Sequence, residues 1–105
     1  MSTGPDAWPF ADPENTAVIT LARILRGESP LLLVTHDEDD GCWQFLDGEH
    51  VFEEDAAVVS LADMARLDPG ILALTDLPPG WYAWRTHSAE PWRRAEGEPP
   101  PILPA

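Results

Sequence analysis

Four consecutive acids stand between two stretches that each read as a β-strand, and that interruption decides most of what the chain can fold into. Leu31-Leu32-Leu33-Val34-Thr35 is apolar until Thr35, the pattern of a strand covered on both faces. Cys42-Trp43-Gln44-Phe45-Leu46 alternates, putting Trp43 and Phe45 on one face and Cys42, Gln44 and Leu46 on the other. Between them come Asp37-Glu38-Asp39-Asp40-Gly41, turn formers ending in a glycine free to take positive φ. A block of like charge ordinarily marks disorder. Here its flanks predict a β-hairpin with a loop of about four or five residues, so the charge is held on a folded frame.

The field belongs to one part of the chain. Nineteen acids face six arginines and no lysine, a net charge of −13, and ten of those acids lie in residues 28–55 without a single base. Self-repulsion on this scale discourages binding to nucleic acid or to an anionic membrane, and favours basic proteins or cations. With 105 residues, 44% of them hydrophobic, there is material for one domain and one core. A lone cysteine, Cys42, excludes an internal disulfide and any cysteine-rich zinc cage. The start lacks a basic segment followed by an apolar one, and Leu31–Val34 is far too short to span a bilayer. A cytoplasmic location is the default expectation.

Around the hairpin the elements are short. Residues 1–15 read as an irregular arm, with Trp8 and Phe10 either docking on the domain's own surface, the preferred reading, or engaging a partner. Ala17-Val18-Ile19-Thr20 is β-like and passes into Leu21, Ile24 and Leu25 at helical spacing before Gly27, so residues 17–26 form a strand then a helix, or one helix. Asp47-Gly48 is a second turn signal, which makes another strand near Val51-Phe52 plausible. Ala56–Val59 is a strand candidate. Ser60 and Asp63 sit at capping-box spacing for a helix carrying Leu61, Met64 and Leu67. Asp68-Pro69 starts another helix, with Asp68 as cap and Pro69 in the first position. Pro78-Pro79-Gly80 is a turn, and Trp81–Trp84 a strand with Trp81 and Ala83 opposite Tyr82 and Trp84. The single domain spans 16–94, and 95–105 is a proline-rich tail of polyproline type.

No constellation of catalytic or ligating residues is complete. Placing Gly41 at the glycine position of an EF-hand loop puts His36 first and Asp47 last, which breaks the pattern at both ends, and that loop belongs between helices. His36, Cys42 and His50 match no zinc spacing. No serine stands in a nucleophile elbow, no glycine loop is built for phosphate, and nineteen acids offer too many arbitrary acid–base pairs. The reading is no enzyme, no cofactor and no metal. Five tryptophans include some that alternation must turn outward, and an aromatic beside an acidic rim is the makeup of a protein-binding hot spot. A nucleic-acid stacking platform would need a basic groove. Arg85, Arg93 and Arg94 are expected to close salt bridges back onto the acidic stretch.

From Ala17 to about Arg94 the chain resembles small bacterial domains of unknown function grouped with the immunity-protein-like domains of polymorphic toxin systems. The matching motifs are Ala17-Val18-Ile19-Thr20, Asp40-Gly41-Cys42-Trp43-Gln44-Phe45, Val59-Ser60-Leu61, Leu67-Asp68-Pro69, Leu77-Pro78-Pro79-Gly80-Trp81-Tyr82-Ala83-Trp84-Arg85 and Pro91-Trp92. The resemblance implies an α+β fold and neutralisation of a toxin by binding it, with no catalytic residues.

The expected fold is therefore α+β, a small, mostly antiparallel sheet with a hairpin around residues 31–46, packed against two or three short helices. The expected function is non-catalytic binding of a basic partner protein such as a toxin, with Asp37, Glu38, Asp39 and Asp40 steering and Trp43 or Trp84 as anchors. Two alternatives use the same acids: a divalent-cation module at the 37–40 turn, and an acidic DNA mimic.

Overall fold

The computed structural model describes residues 8–99; residues 1–7 of the expected arm and 100–105 of the expected tail lie outside them. Six strands, β1 (Ala17–Leu21), β2 (Leu33–His36), β3 (Trp43–Leu46), β4 (Ala56–Ser60), β5 (Trp81–Trp84) and β6 (Arg93–Glu96), form one sheet. Their order is β4-β1-β3-β2-β5-β6. Only β1 and β3 pair in parallel, and the other pairings are antiparallel. Two short α-helices, α1 (Ala22–Leu25) and α2 (Leu61–Leu67), and a 3₁₀ turn at Pro69–Leu74 complete an α+β domain with a mostly antiparallel sheet.

Alternation along the strands builds the core. Val18, Thr20, Val34, Trp43, Phe45 and Ala83 share one face of the sheet, and all are buried. Leu61, Met64, Ile71, Leu74 and Leu77 cover them, and full burial of each large side chain stabilises by about 1.5–3 kcal/mol. Thr20 enters this core because its hydroxyl donates to the Phe45 carbonyl at 2.8 Å. On the opposite face Leu33, Tyr82 and Trp84 form a smaller cluster with Leu46 and Ala95 at its margin.

The hairpin forms as its pattern predicts, in the register Leu33↔Leu46 to His36↔Trp43. Residues 17–26 resolve into strand then helix, β1 running straight into α1. Ser60 accepts the Asp63 backbone N–H at 3.0 Å and starts α2; Asp68 accepts that of Gly70 at 2.9 Å and starts the 3₁₀ turn. Phe10 is buried, edge-on to Trp43 with centroids 5.5 Å apart, and Trp8 leans on Phe10. The arm residues thus dock on their own domain.

Two elements differ from expectation. Val51-Phe52 is not a strand, and a 3₁₀ turn follows at Glu53–Asp55. Its neighbourhood is organised by polar side chains, because Asp47 accepts the Glu49 N–H and Arg23 donates to the His50 carbonyl. The sixth strand, β6, has no β-like composition and extends two residues into the stretch read as tail. It exists because β5 offers a free edge, on which Arg93–Glu96 pairs residue for residue with Trp84–Trp81.

Candidate functional site

The acidic turn is ordered by two of its own carboxylates. Asp37 closes the loop through its backbone, its N–H donating to the Cys42 carbonyl at 2.8 Å and its carbonyl accepting from Gly41 at 3.0 Å. Its side chain accepts the Asp39 N–H at 2.7 Å, and Asp40 accepts the Cys42 N–H at 2.9 Å. Gly41 takes φ +71°, the left-handed region that a side chain disfavours. Glu38 and Asp39 are exposed and have no side-chain partner among the described residues. The four acids therefore divide: Asp37 and Asp40 hold the turn in shape, and Glu38 and Asp39 present charge.

The turn borders a groove of about 400 Å³ whose lining contains no arginine. Thr35 and Gln44 line it from adjacent strands, and Gly80, Trp81 and Glu98 border it from the β5–β6 side, the Trp81 side chain itself packing against the helix-covered core. Backbone bonds tie the surrounding segments together: Gly80 donates to the His36 carbonyl at 2.7 Å, and Gly97 to the Gly80 carbonyl at 2.6 Å. Gly80 has φ +88°, and a Cβ there would lie 3.5 Å from the Glu38 side chain. The Pro78–Gly80 turn thus backs the carboxylate. Gln44 and Glu98 are not among the candidate site residues that the sequence offers. Glu98 was hidden by its proline-rich surroundings, and the only pointer was Gly97, which turns the chain back after β6 at φ +102°.

Of the other acids of the 28–55 stretch, Glu28, Asp47 and Asp55 are paired, whereas Glu49, Glu53 and Glu54 are exposed with no ion pair among the described residues. Arg23 binds Asp47 and also reaches Asp55 at 3.0 Å, and Arg26 pairs with Glu28 at 2.9 Å. Asp47 is 3% exposed. Burial pushes its pKa up, but the Arg23 hydrogen bonds, the Ser29 hydroxyl, the Glu49 N–H and the Arg23 charge prevail and hold it down at about 2. The expected return of the later arginines to this stretch is not what Arg85 and Arg94 do. Arg85 pairs with Asp68 and Arg94 with Asp76. The cations that neutralise the stretch come instead from α1 and the residue after it, upstream in sequence.

Both aromatic anchors proposed from sequence are buried. Trp43 is 2% exposed, flat against His36 with centroids 3.9 Å apart, and its indole N–H donates to Asp12 at 2.8 Å. Trp84 is 9% exposed within the smaller cluster, its indole nitrogen without a hydrogen-bond partner. Alternation does turn Trp84 away from the main core, but Leu33 and Tyr82 pack against it.

His36 and Cys42 flank the turn without forming a ligand set. His36 Nδ1 lies 2.8 Å from the Leu77 carbonyl. Burial, then the charges of Asp40 and Asp37, push the Cys42 thiol pKa up, which keeps it protonated and a poor nucleophile. No group of three or more His, Cys, Asp or Glu among the described residues is placed to hold a metal ion. No helix among them is long and apolar enough to cross a membrane. No family model, no curated protein and no solved structure matches the chain.

Proposed function

We propose that this is a non-catalytic interaction domain that receives a basic segment of a partner protein at the groove beside the 37–40 turn. The observation that carries the reading is the division of the acids. Asp47, Asp55 and Glu28 are matched by arginines of the chain itself, whereas Glu38 and Asp39 border a groove with no arginine in its lining. Opposed charge steers association and fixes register more than it adds affinity. A floor of Thr35 and Gln44 supplies the hydrogen-bonding groups that a guanidinium or ammonium needs once it leaves water. Neutralisation of a basic toxin, which the sequence resemblance implies, is one form of this activity.

The divalent-cation alternative gains nothing from the turn, because Asp37 and Asp40 each commit an oxygen to a backbone N–H. A DNA mimic would need carboxylates spaced along an extended face, whereas Asp37–Asp40 are bunched on one turn. Calorimetric titration of a hexa-arginine peptide into two charge-matched variants tests the reading. Glu38→Gln with Asp39→Asn should weaken binding several-fold more than Glu53→Gln with Glu54→Gln. Equal losses would mean that only net charge matters, and would sink the assignment of the site.

A further inference from the structure

The two edges of the sheet are built differently. At one end β6 presents Arg93, Arg94 and Glu96, the charged edge with which soluble sheets discourage pairing to another chain. At the other end β4 reads Ala56-Ala57-Val58-Val59-Ser60, with no charge and no proline, and among the described residues its only strand neighbour is β1. Val58 is 70% exposed, and Val51 and Phe52, just upstream, are 44% and 53% exposed. Half of the six exposed large hydrophobics of the described residues thus fall in 51–58, so the apolar surface is concentrated on and beside the unguarded edge.

We infer that β4 is a self-association edge, pairing antiparallel with β4 of a second copy to continue the sheet across a two-fold axis near Val58. The strand is self-complementary in this direction. Ala57 would face Val59 of the second copy and Ala56 would face Ser60, so no like charges are opposed within the pairing. The flanks also favour this direction. Glu53, Glu54 and Asp55 precede β4, whereas Asp63 and Arg66, which pair with each other in α2, follow it and leave that flank neutral. Antiparallel pairing sets the leading flank of each copy toward the trailing flank of the other, whereas parallel pairing would bring the acids of both copies together. Net charge opposes association, but the acidic turn lies on the β2–β3 hairpin, with β1 between β3 and the edge. At about 4.8 Å per strand that separation is about 10 Å, comparable to the Debye length at physiological salt.

Sedimentation velocity across a concentration series, at about 0.05 M and 0.5 M salt, tests the inference. The full chain should form a reversible dimer whose association strengthens with salt, opposite to the trend for a basic peptide at the turn. Val58→Lys would place two ammonium groups across the axis and should weaken association about tenfold or more. Because Val58 is already exposed, the variant should match the wild-type melting temperature at dilutions where both are monomeric, and bind hexa-arginine as the wild type does. Hydrogen exchange in the concentrated sample should show added protection at 56–60. A strictly monomeric wild type, a dimer undiminished by Val58→Lys, or a dimer without that protection would each overturn the inference. None would touch the groove beside the turn.

Discussion

Arg23 grips Asp47 with two bonds, Nε to Oδ2 at 2.7 Å and Nη2 to Oδ1 at 3.0 Å, and this pair sets Asp47 apart from the charge displayed at Glu38 and Asp39. The folded pKa of Asp47, about 2, lies below the unfolded value of about 3.9, so the native state holds its carboxylate more readily deprotonated. The combined contribution of Arg23, Ser29 and the Glu49 N–H at this carboxylate, on the order of 2 kcal/mol, is present above about pH 4 and lost as pH falls toward 2. Asp47→Asn should destabilise the protein by about 2–4 kcal/mol at neutral pH. Urea unfolding should also show a flatter pH dependence between 4 and 2 than in the wild type. An unchanged midpoint at neutral pH would contradict a structural role for the pair.

Arg85 is 4% exposed and ties together three segments distant in sequence. It donates twice to the Leu31 carbonyl, once to Ser88 and once to Asp68, and lies 4.1 Å from the centre of the Trp92 ring. Lysine keeps the charge but loses the planar fork that makes these bonds together. Arg85→Lys should cost about 2–3 kcal/mol, read as a fall in melting temperature. A variant as stable as the wild type would show that the fork is dispensable.

Phe10 closes the helix-covered core from the N-terminal side, edge-on to Trp43. Phe10→Ala should cost about 3–5 kcal/mol and shift tryptophan emission to the red as water reaches Trp43. Stability within about 0.5 kcal/mol of wild type, the range of an ordinary surface substitution, would mean that the arm does not dock in solution.

Gly41 has φ +71° and no atom within 4 Å of where a Cβ would stand. Gly41→Ala should therefore destabilise through backbone conformation alone, by about 1–2 kcal/mol, and Gly41→Asn by less, because asparagine tolerates the left-handed region. Denaturant midpoints should follow the order Gly, Asn, Ala. Equal midpoints would argue against this turn geometry.

The elements governed by local pattern were legible in the sequence. The alternation of Trp43 and Phe45, the Ser60 and Asp68 caps and the two turns needed only neighbours in the chain to be read. What escaped depended on partners distant in sequence. Arg93–Glu96 becomes a strand only because β5 offers an edge, and Val51-Phe52 fails to become one because its surroundings answer to Arg23. The candidate site divides along the same line. Asp37–Asp40 could be found as a charge run, but which acids are displayed depended on where Arg23, Arg85 and Arg94 land. That neither Trp43 nor Trp84 is displayed depended on burial, which alternation alone does not set on a sheet with apolar clusters on both faces.

The central claim is that displayed charge at Glu38 and Asp39, rather than net charge, makes this domain a receptor for basic segments. Titrating hexa-arginine into isotopically labelled protein and following amide shifts by NMR tests it most directly. The account expects the largest shifts at residues 37–42, Gln44, Gly80, Trp81 and Gly97–Glu98, with little change at Glu49, Glu53 and Glu54. Shifts of equal size at both groups of acids, or centred on 49–54, would contradict it.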